Sequence, residues 1–384
     1  MTRIQYLGIN LSDIRYYFKK TPLYIVFSPT SRCNLRCDFC FNWKNLNKKG
    51  RKELTLEEID MMTKNMGHVK YLTITGGEPF LREDLAEITE LFYRNAGTKS
   101  VAIHTNCSMP KKVVSVTKKI LESCPGLFCN ICVSIDAKGR RHDKIRNFHG
   151  LFKKVLLTIA SLKKLQRTHN NLGILGVACV TKLNYDSIKE TYKYAVNELS
   201  IPFGYAMLRG DVRRRGLSIT ADEYAVLRRE LKGIKSALPS CGFFGKLFGM
   251  EHYKARIVEE TLFTISNDKR GGGSKCKENN CKDNHYKDNH INKKPLLPCQ
   301  AGRKVAVIMD NGDVYPCELF NKVKRLGNLR AADYSLKKLL EKERAKKIIR
   351  DISKKQCMCT WECIIPLNMI FAPHKLFPIV KRHN

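Results

Sequence analysis

Six short runs of β-branched and aromatic residues alternate with amphipathic helical patterns over the first 208 residues, and this alternation restricts the fold more than any other feature. The runs fall at 23–27 (LYIVF), 70–74 (KYLTI), 100–104 (SVAIH), 130–135 (NICVSI), 172–180 (LGILGVACV) and 201–208 (IPFGYAML). Between them, apolar residues recur at three- and four-residue spacing. Leu56, Ile59, Met62 and Met66 form one set, Leu85, Ile88 and Phe92 a second, and Val113, Val116 and Ile120 a third. Phe152, Val155, Ile159 and Leu162 follow, then Ile188, Tyr192 and Val196. Thr55, with Glu58 three residues on, spells a capping box at the first helix. Strands joined through helices run parallel, which predicts an α/β fold, an open sheet or a barrel. Such folds carry their chemistry on the loops that leave the C-terminal ends of the strands.

The pattern stops near residue 210. A connector at 211–263 carries a helical stretch at about 220–236 and an aromatic-rich segment. A low-complexity insertion fills 264–297. Within it, Ser266–His290 contains no Ala, Val, Leu, Ile, Met or Phe, too little apolar surface to offset its ordering entropy. A smaller module occupies 298–384, so 384 residues make an N-terminal extension (1–20), a core (21–210) and a C-terminal unit. The 43% hydrophobic content supports a large core and excludes global disorder. The opening twenty residues hold no signal-peptide run, and no stretch approaches the ~18–20 apolar residues of a transmembrane segment, so a cytoplasmic chain is expected. Sixteen cysteines make about 4% of the chain, below the ~8–10% of a disulfide scaffold. In a reducing compartment they are metal ligands, catalysts or buried fillers.

The densest chemistry is Cys33-Asn34-Leu35-Arg36-Cys37-Asp38-Phe39-Cys40, directly after the first strand run. Three thiolates so close together can take three corners of a cubane cluster and leave the fourth iron open. Chance places such a triple roughly 0.03 times in a chain of this composition. Zinc is the alternative, but it wants four ligands, and no further Cys or His follows until His68. Gly76-Gly77-Glu78-Pro79 follows the second run, with two glycines that let the backbone approach a ligand and a proline that limits the exit of the turn. His104-Thr105-Asn106-Cys107 ends the third run. Ser134-Ile135-Asp136 ends the fourth, residues 134 and 136 falling on one side of a strand, and His142-Asp143-Lys144-Ile145-Arg146 comes next.

Together these motifs resemble the radical S-adenosylmethionine (radical SAM) superfamily. The cysteine run is similar to its C-x3-C-x-aromatic-C signature, with Phe39 as the aromatic. Gly76–Pro79 is similar to its GGEP motif, and Thr105-Asn106 to its TN(G), with Cys107 where Gly is usual. The remaining two resemble the S-x-D and HDxIR elements of its peptide-modifying branch. The resemblance implies a partial (β/α)6 TIM-like barrel with a small C-terminal iron–sulfur module. It implies that Cys33, Cys37 and Cys40 hold a catalytic [4Fe–4S] cluster. Phe39, Gly76, Gly77, Glu78, Pro79, Asn106, Ser134, Asp136 and Arg146 would then bind SAM. It further implies that an electron donor such as flavodoxin or ferredoxin reduces the cluster. SAM is then cleaved to methionine and a 5′-deoxyadenosyl radical, which abstracts hydrogen from a substrate.

The C-terminal module carries a second set. Cys299 precedes Gly312-Asp313-Val314-Tyr315-Pro316-Cys317, and Cys357-Met358-Cys359-Thr360-Trp361-Glu362-Cys363 follows. This resembles the SPASM/Twitch extension of radical SAM enzymes. Five cysteines suffice for one four-ligand cluster and not two, so a second, auxiliary [4Fe–4S] cluster is expected. Cys299, Cys317 and Cys363 are its expected ligands. Cys359 is preferred to Cys357 as the fourth because its spacing to Cys363 matches the ladder; zinc is again the alternative.

The other cysteines read as packing. Cys129 and Cys132 spell CxxC, but on a strand they face opposite sides. Cys107 falls near SAM, as inert filler or hydrogen donor. Cys124, Cys179 and Cys241 read as small hydrophobes, and Cys276, Cys281, His285 and His290 as a solvated loop rather than a zinc site. The net charge of +34, with basic runs at 209–215 and 342–355, favours polyanions in general. No nucleic-acid-binding motif accompanies it, so no specific nucleic acid is predicted, and an anionic substrate stays open. The 342–355 run reads as the solvated face of a helix whose apolar positions are Leu339, Leu340, Ile348 and Ile349. The tail Ile364–Val380, broken by Pro366, Pro373 and Pro378, packs over the auxiliary module. Alternatively, with Phe243, Phe244, Leu247 and Phe248, it makes a peripheral membrane contact. The expected activity is that of a radical SAM oxidoreductase or maturase on a peptide or protein side chain. A small-molecule or lipid precursor is the alternative substrate, and a non-catalytic iron–sulfur partner-binding protein the alternative class.

Overall fold

The computed structural model describes residues 19, 21–231, 299–319, 324–354, 367–368 and 371. Their nine strands form one sheet in the order β6-β5-β4-β3-β2-β1-β7-β8-β9. The first six follow the chain: β1 (Tyr24–Phe27), β2 (Tyr71–Ile74), β3 (Ser100–Thr105), β4 (Phe128–Ser134), β5 (Leu172–Val180) and β6 (Phe203–Met207). All five of their pairings are parallel. Helices Leu56–Lys64, Leu85–Asn95, Pro110–Ser123, Leu151–Gln166 and Ile188–Lys193 lie in the crossovers, where the periodicity places them. The sheet does not close, because β6 and β9 remain its two edges. It is the partial barrel that the alternation and the motifs anticipate.

Strand alternation divides the residues into two sets. Ile25, Phe27, Leu72, Ile74, Ile103 and Ile131 pack outward against Ile59, Met62, Leu85, Ile88 and Phe92 of the helices in one continuous core. Burying such a side chain contributes about 1.5–3 kcal/mol, and this set holds helices to sheet. Tyr24, Tyr71, Thr73, His104 and Cys132 lie on the opposite face and line the lumen. Tyr24 and Thr73 share a hydrogen bond of 2.9 Å there.

The C-terminal module is continuous with the barrel sheet. β7 (Val305–Ile308) pairs with β1 in parallel, from Tyr24↔Val305 to Phe27↔Ile308. β8 (Asp313–Tyr315) and β9 (Gly327–Asn328) then add antiparallel. Val305, Val307 and Met309 share a second buried cluster with Tyr24, Val26, Tyr71, Cys299 and Cys317. The capping-box residue Glu58 is the polar clamp between the two parts. Its carboxylate accepts from Thr55 N at 2.9 Å, from Arg330 Nε and Nη2 at 2.6 and 2.8 Å, and from Tyr334 Oη at 2.7 Å. The Arg330 hydrogen bond is the main reason its pKa falls to about 2.

The helix Ala221–Glu230 lies within its expected stretch, and Glu343–Lys354 turns Ile348 and Ile349 onto the core. The N-terminal extension apart from Lys19, most of the connector, the low-complexity insertion and nearly all of the tail lie outside the described residues. No helix among the described residues is long and apolar enough to cross a membrane.

Candidate active site

Beyond β1 the chain turns over the C-terminal edge of the sheet. Cys33, Cys37 and Cys40 are each half-buried there and line one cavity of about 350 Å³. Side-chain amides fix this loop. Asn47 accepts from Cys33 N at 3.0 Å and donates to Cys33 O at 2.9 Å. Asn147 Nδ2 donates to Arg36 O and Asp38 Oδ1, both at 3.0 Å. Asn34 donates to Ser108 Oγ at 2.7 Å and accepts from Asn106 Nδ2 at 3.0 Å. Asn47 and Asn147 have φ of 54° and 52°, a conformation Asn tolerates better than most residues. Burial pushes the thiols of Cys33 and Cys37 up to about 11 and about 12, and raises Cys40 as well. A cluster's charge would reverse that balance, since thiolates ligate and release protons on binding. Three thiols converging on one cavity, beside the Arg146 guanidinium, suit an iron–sulfur cluster.

Gly76 and Gly77 also line the cavity, but the cysteine loop already excludes a side chain at both, and at Gly76 a φ of 116° disfavours one as well. A Cβ on Gly76 would meet Ser28 Oγ at 2.1 Å, and one on Gly77 would meet Arg32 O at 2.0 Å. Gly77 N donates to Thr30 O at 3.0 Å and Glu78 N to Arg32 O at 2.8 Å, so the two loops lie backbone to backbone. Ligand approach alone therefore does not account for the glycines. Glu78 is only 2% exposed, and burial lifts its pKa to about 7. Its Oε1 accepts from Thr105 Oγ1 at 3.0 Å and its Oε2 from Asn106 N at 2.7 Å, which positions the Asn106 turn. Pro79 is buried, opens the 3-10 turn Pro79–Leu81, and does not reach the cavity wall.

Ser134 lines the cavity and Asp136 does not, contrary to the expectation that they share a side. The strand ends at Ser134, so alternation no longer governs Asp136. That carboxylate is fully buried. It accepts from Arg146 Nε at 2.6 Å and from Cys179 N at 2.8 Å. It therefore holds Arg146, which lines the cavity 5.4 Å from the centre of the Phe39 ring. Burial lowers the Arg146 pKa, but the Asp136 carboxylate outweighs it and the net shift is upward. The rest of the His142–Arg146 motif builds the frame. His142 Nδ1 accepts from Asp136 N at 3.1 Å, and Asp143 accepts from Gly150 N and Phe152 N at 2.7 Å each, capping the next helix.

Cys132 lines the cavity while Cys129 packs in the core, as alternation on β4 requires. Cys179 is half-buried on the cavity wall, where it packs against the apolar cluster of Phe39, Ala137, Ile145 and Leu217. Cys107 is fully buried in the core, away from the cavity, which favours the packing reading. Its φ of 60° explains why glycine would suit that position. His104, registered beside Cys132, also lines the cavity, and burial lowers its pKa to about 4. Tyr205, Arg209 and Glu318 complete the wall without having been anticipated. Arg209 Nη2 donates to Glu318 Oε2 at 2.6 Å. The available signal was position: Arg209 follows β6, on the reactive edge of the sheet, and Glu318 follows Cys317. Cys299 and Cys317 are buried in one apolar cluster. Cys357, Cys359 and Cys363 lie outside the described residues.

Residues 27–195 match the family model of the Radical SAM superfamily, and residues 299–364 match that of an iron–sulfur cluster-binding domain, SPASM. The chain belongs to the radical SAM superfamily and carries a C-terminal SPASM module. These domains bring a [4Fe–4S] cluster with SAM and, in the second, additional iron–sulfur binding. Among curated relatives, the GTP 3',8-cyclase of Alkaliphilus oremlandii is 41% identical over 86 residues, 22% of this chain and 27% of the relative. That of Aquifex aeolicus is 40% identical over 96 residues, 24% and 30% of the two chains. The chain thus covers less than a third of either relative. Among solved structures, anSMEcpe with bound AdoMet matches with a TM-score of 0.56 at 18% identity, covering 94% of this chain and 98% of that one. Streptococcus suis SuiB bound to precursor peptide SuiA matches with a TM-score of 0.56 at 19% identity, covering 90% and 73%. At such identities the likeness is one of fold.

Proposed function

We propose that this chain is a radical SAM maturase acting on a peptide or protein side chain. The observation that carries the reading is one cavity that joins Cys33, Cys37 and Cys40 to a lumen whose wall includes Glu318 of the C-terminal module. The three cysteines hold the SAM-binding cluster. Arg146, Asn106, Ser134, Phe39 and the Gly76–Gly77–Glu78 turn surround SAM, while Asp136 and Pro79 act from behind the wall. Cys299, Cys317 and Cys363, with Cys359 or Cys357, hold one auxiliary cluster. When bound, cluster and SAM supply a 5′-deoxyadenosyl radical that takes hydrogen from the substrate. The chain's own residues position and enclose. Asp136 fixes the Arg146 guanidinium, Glu78 fixes the Asn106 turn, and the apolar lumen excludes water from the radical.

The GTP 3',8-cyclase relatives favour a nucleotide instead. Charge pairing in the cavity argues against that. A triphosphate calls for cations free to form charge-assisted hydrogen bonds. Among the described residues the charge of each arginine of the wall is balanced by a carboxylate, Arg146 by Asp136 and Arg209 by Glu318, so the wall offers no surplus of positive charge. The SuiB neighbour, solved with a precursor peptide, supports the peptide reading.

The test is anaerobic reconstitution, then SAM and dithionite. The protein releases 5′-deoxyadenosine and Cys37→Ala does not; undiminished release by that variant defeats the radical assignment. GTP consumption in step with 5′-deoxyadenosine release defeats the peptide reading.

A further inference from the structure

Of the ten cysteines among the described residues, five line the cavity. Cys33, Cys37 and Cys40 belong to the SAM-binding cluster, which leaves the Cys132 and Cys179 thiols without an assigned part. They stand at different depths. Cys132 is registered against His104 and Leu175, whereas Cys179 lies further along β5, toward the edge that carries the cysteine loop. There it packs with Cys37, Phe39, Ile145 and Leu208, close enough to Arg146 to act on its charge. Its backbone is held on both sides. Asp136 Oδ1 accepts from Cys179 N at 2.8 Å, and Asn184 Nδ2 donates to Cys179 O at 2.9 Å. Both of these groups are fully buried. Asp136 also fixes Arg146, so one carboxylate sets the thiol and the guanidinium in a single frame. A side chain so placed on a cavity wall has the rigidity that reaction with a bound group requires. His104 indicates that the lumen below takes a polar occupant. It lines the cavity, burial keeps its imidazole neutral, and it makes no hydrogen bond among the described residues. An enclosed polar group calls for a partner, and a neutral imidazole can accept from a peptide N–H.

We propose that Cys179 is a hydrogen-atom donor of this site, giving its thiol hydrogen to a carbon radical in the lumen. The proposal deepens the radical reading above and rests on it. An S–H bond is weaker than the C–H bonds of a deoxyribose methyl group or a peptide, so transfer to either carbon runs downhill. The S–H bond breaks homolytically, a C–H bond forms, and a thiyl radical remains on Cys179. One electron from a low-potential reductant, dithionite in vitro or a reduced iron–sulfur cluster, and one proton from solvent restore the thiol. With a peptide in place, the carbon that lost its hydrogen regains one, and the substrate leaves with no net oxidation. With no substrate, the 5′-deoxyadenosyl radical is itself the carbon radical within reach. Cys132, deeper in the lumen, and the Tyr205 phenol are the competing donors on the wall. Contact with Phe39 and nearness to Arg146, both placed around SAM, select Cys179.

The test needs no substrate, because a thiol hydrogen exchanges with solvent and a carbon-bound one does not. Full-length reconstituted protein is moved into D2O and given SAM and dithionite, and the 5′-deoxyadenosine is weighed by mass spectrometry. Most of the wild-type product should carry one added deuterium. In Cys179→Ser, checked for wild-type iron content, that fraction should fall to the background of the same reaction in H2O, while Cys132→Ser keeps it. Before any reductant is added, SAM should also slow iodoacetamide labelling of Cys179 in the wild type, read by peptide mapping. Wild-type 5′-deoxyadenosine without deuterium overturns the proposal, as does Cys179 labelling that SAM leaves unchanged. So does a deuterated fraction that survives in Cys179→Ser and disappears in Cys132→Ser or Tyr205→Phe. If the wild type gives no 5′-deoxyadenosine at all, the radical reading itself falls, and the donor with it.

Discussion

Gly77→Ala tests whether contact between two backbones positions the cysteine loop. Gly77 does not have the left-handed φ that would penalise alanine, so the conflict is one of space. The new Cβ would stand 2.0 Å from Arg32 O and 2.6 Å from Arg32 C, neither of which can swing away as a side chain would. To restore a contact of 3.4 Å the Arg32 peptide must recede by about 1.4 Å, and Cys33 follows it in the chain. The 2.8 Å bond from Glu78 N to Arg32 O is then pulled beyond useful length. Overpacking of this kind costs about 1–3 kcal/mol, which a domain stable by about 5–15 kcal/mol survives. The variant should therefore fold with native circular dichroism and lose the barrel cluster selectively. Iron per chain after anaerobic reconstitution should drop from about eight to about four, the C-terminal cluster being an internal control. A Gly77→Ala protein with full iron and wild-type 5′-deoxyadenosine release would refute the claim that this contact positions Cys33.

Cys317→Ala should also remove about four irons, this time from the C-terminal module, and leave dithionite-driven SAM cleavage intact; loss of the barrel cluster instead would contradict the assignment. Glu58→Gln weakens the clamp to Arg330 and Tyr334. Because the Glu58 pKa is depressed to about 2, its contribution is present above about pH 4.5 and is lost as pH falls toward 2. Urea unfolding should show the variant about 2 kcal/mol less stable at pH 7, after allowance for solvent screening, with the gap closing in acid; a gap independent of pH would rule out the ionic clamp. Arg146→Ala strands the buried Asp136 carboxylate and should cost about 3–5 kcal/mol in the same assay, with Arg146→Lys recovering much of it. Wild-type stability in the alanine variant would show that another group balances Asp136.

Local features were legible and long-range ones were not, for a physical reason. The six strand runs, the Thr55–Glu58 capping box and the Cys33–Cys37–Cys40 loop are each set by neighbours within a few residues, so spacing reveals them. The parallel pairing of β7 with β1 joins Tyr24 to Val305, and periodicity states which face is buried without stating what lies beside it. The loop-bracing amides of Asn34, Asn47 and Asn147 were hidden for the same reason, since each grips a backbone or side chain brought near only by the fold. Asp136 shows the limit of a local rule. The two-residue period would have put it beside Ser134 in the cavity, but the strand stops at Ser134, two residues short of it, and the carboxylate turns behind the wall to hold Arg146.

The net charge of +34 shows a different limit, because a sum carries no positions. Burying an unpaired charge costs several kcal/mol, so cations that reach the cavity must bring partners: Arg146 has Asp136 and Arg209 has Glu318. Exposed cations pay no such penalty and can accumulate, as they do at Lys48, Lys49 and Arg215. The surplus therefore has to lie outside the lumen, whatever the lumen binds. A substrate seated within meets arginines already matched by carboxylates. If charge selects a partner for this chain, it selects at the outer surface.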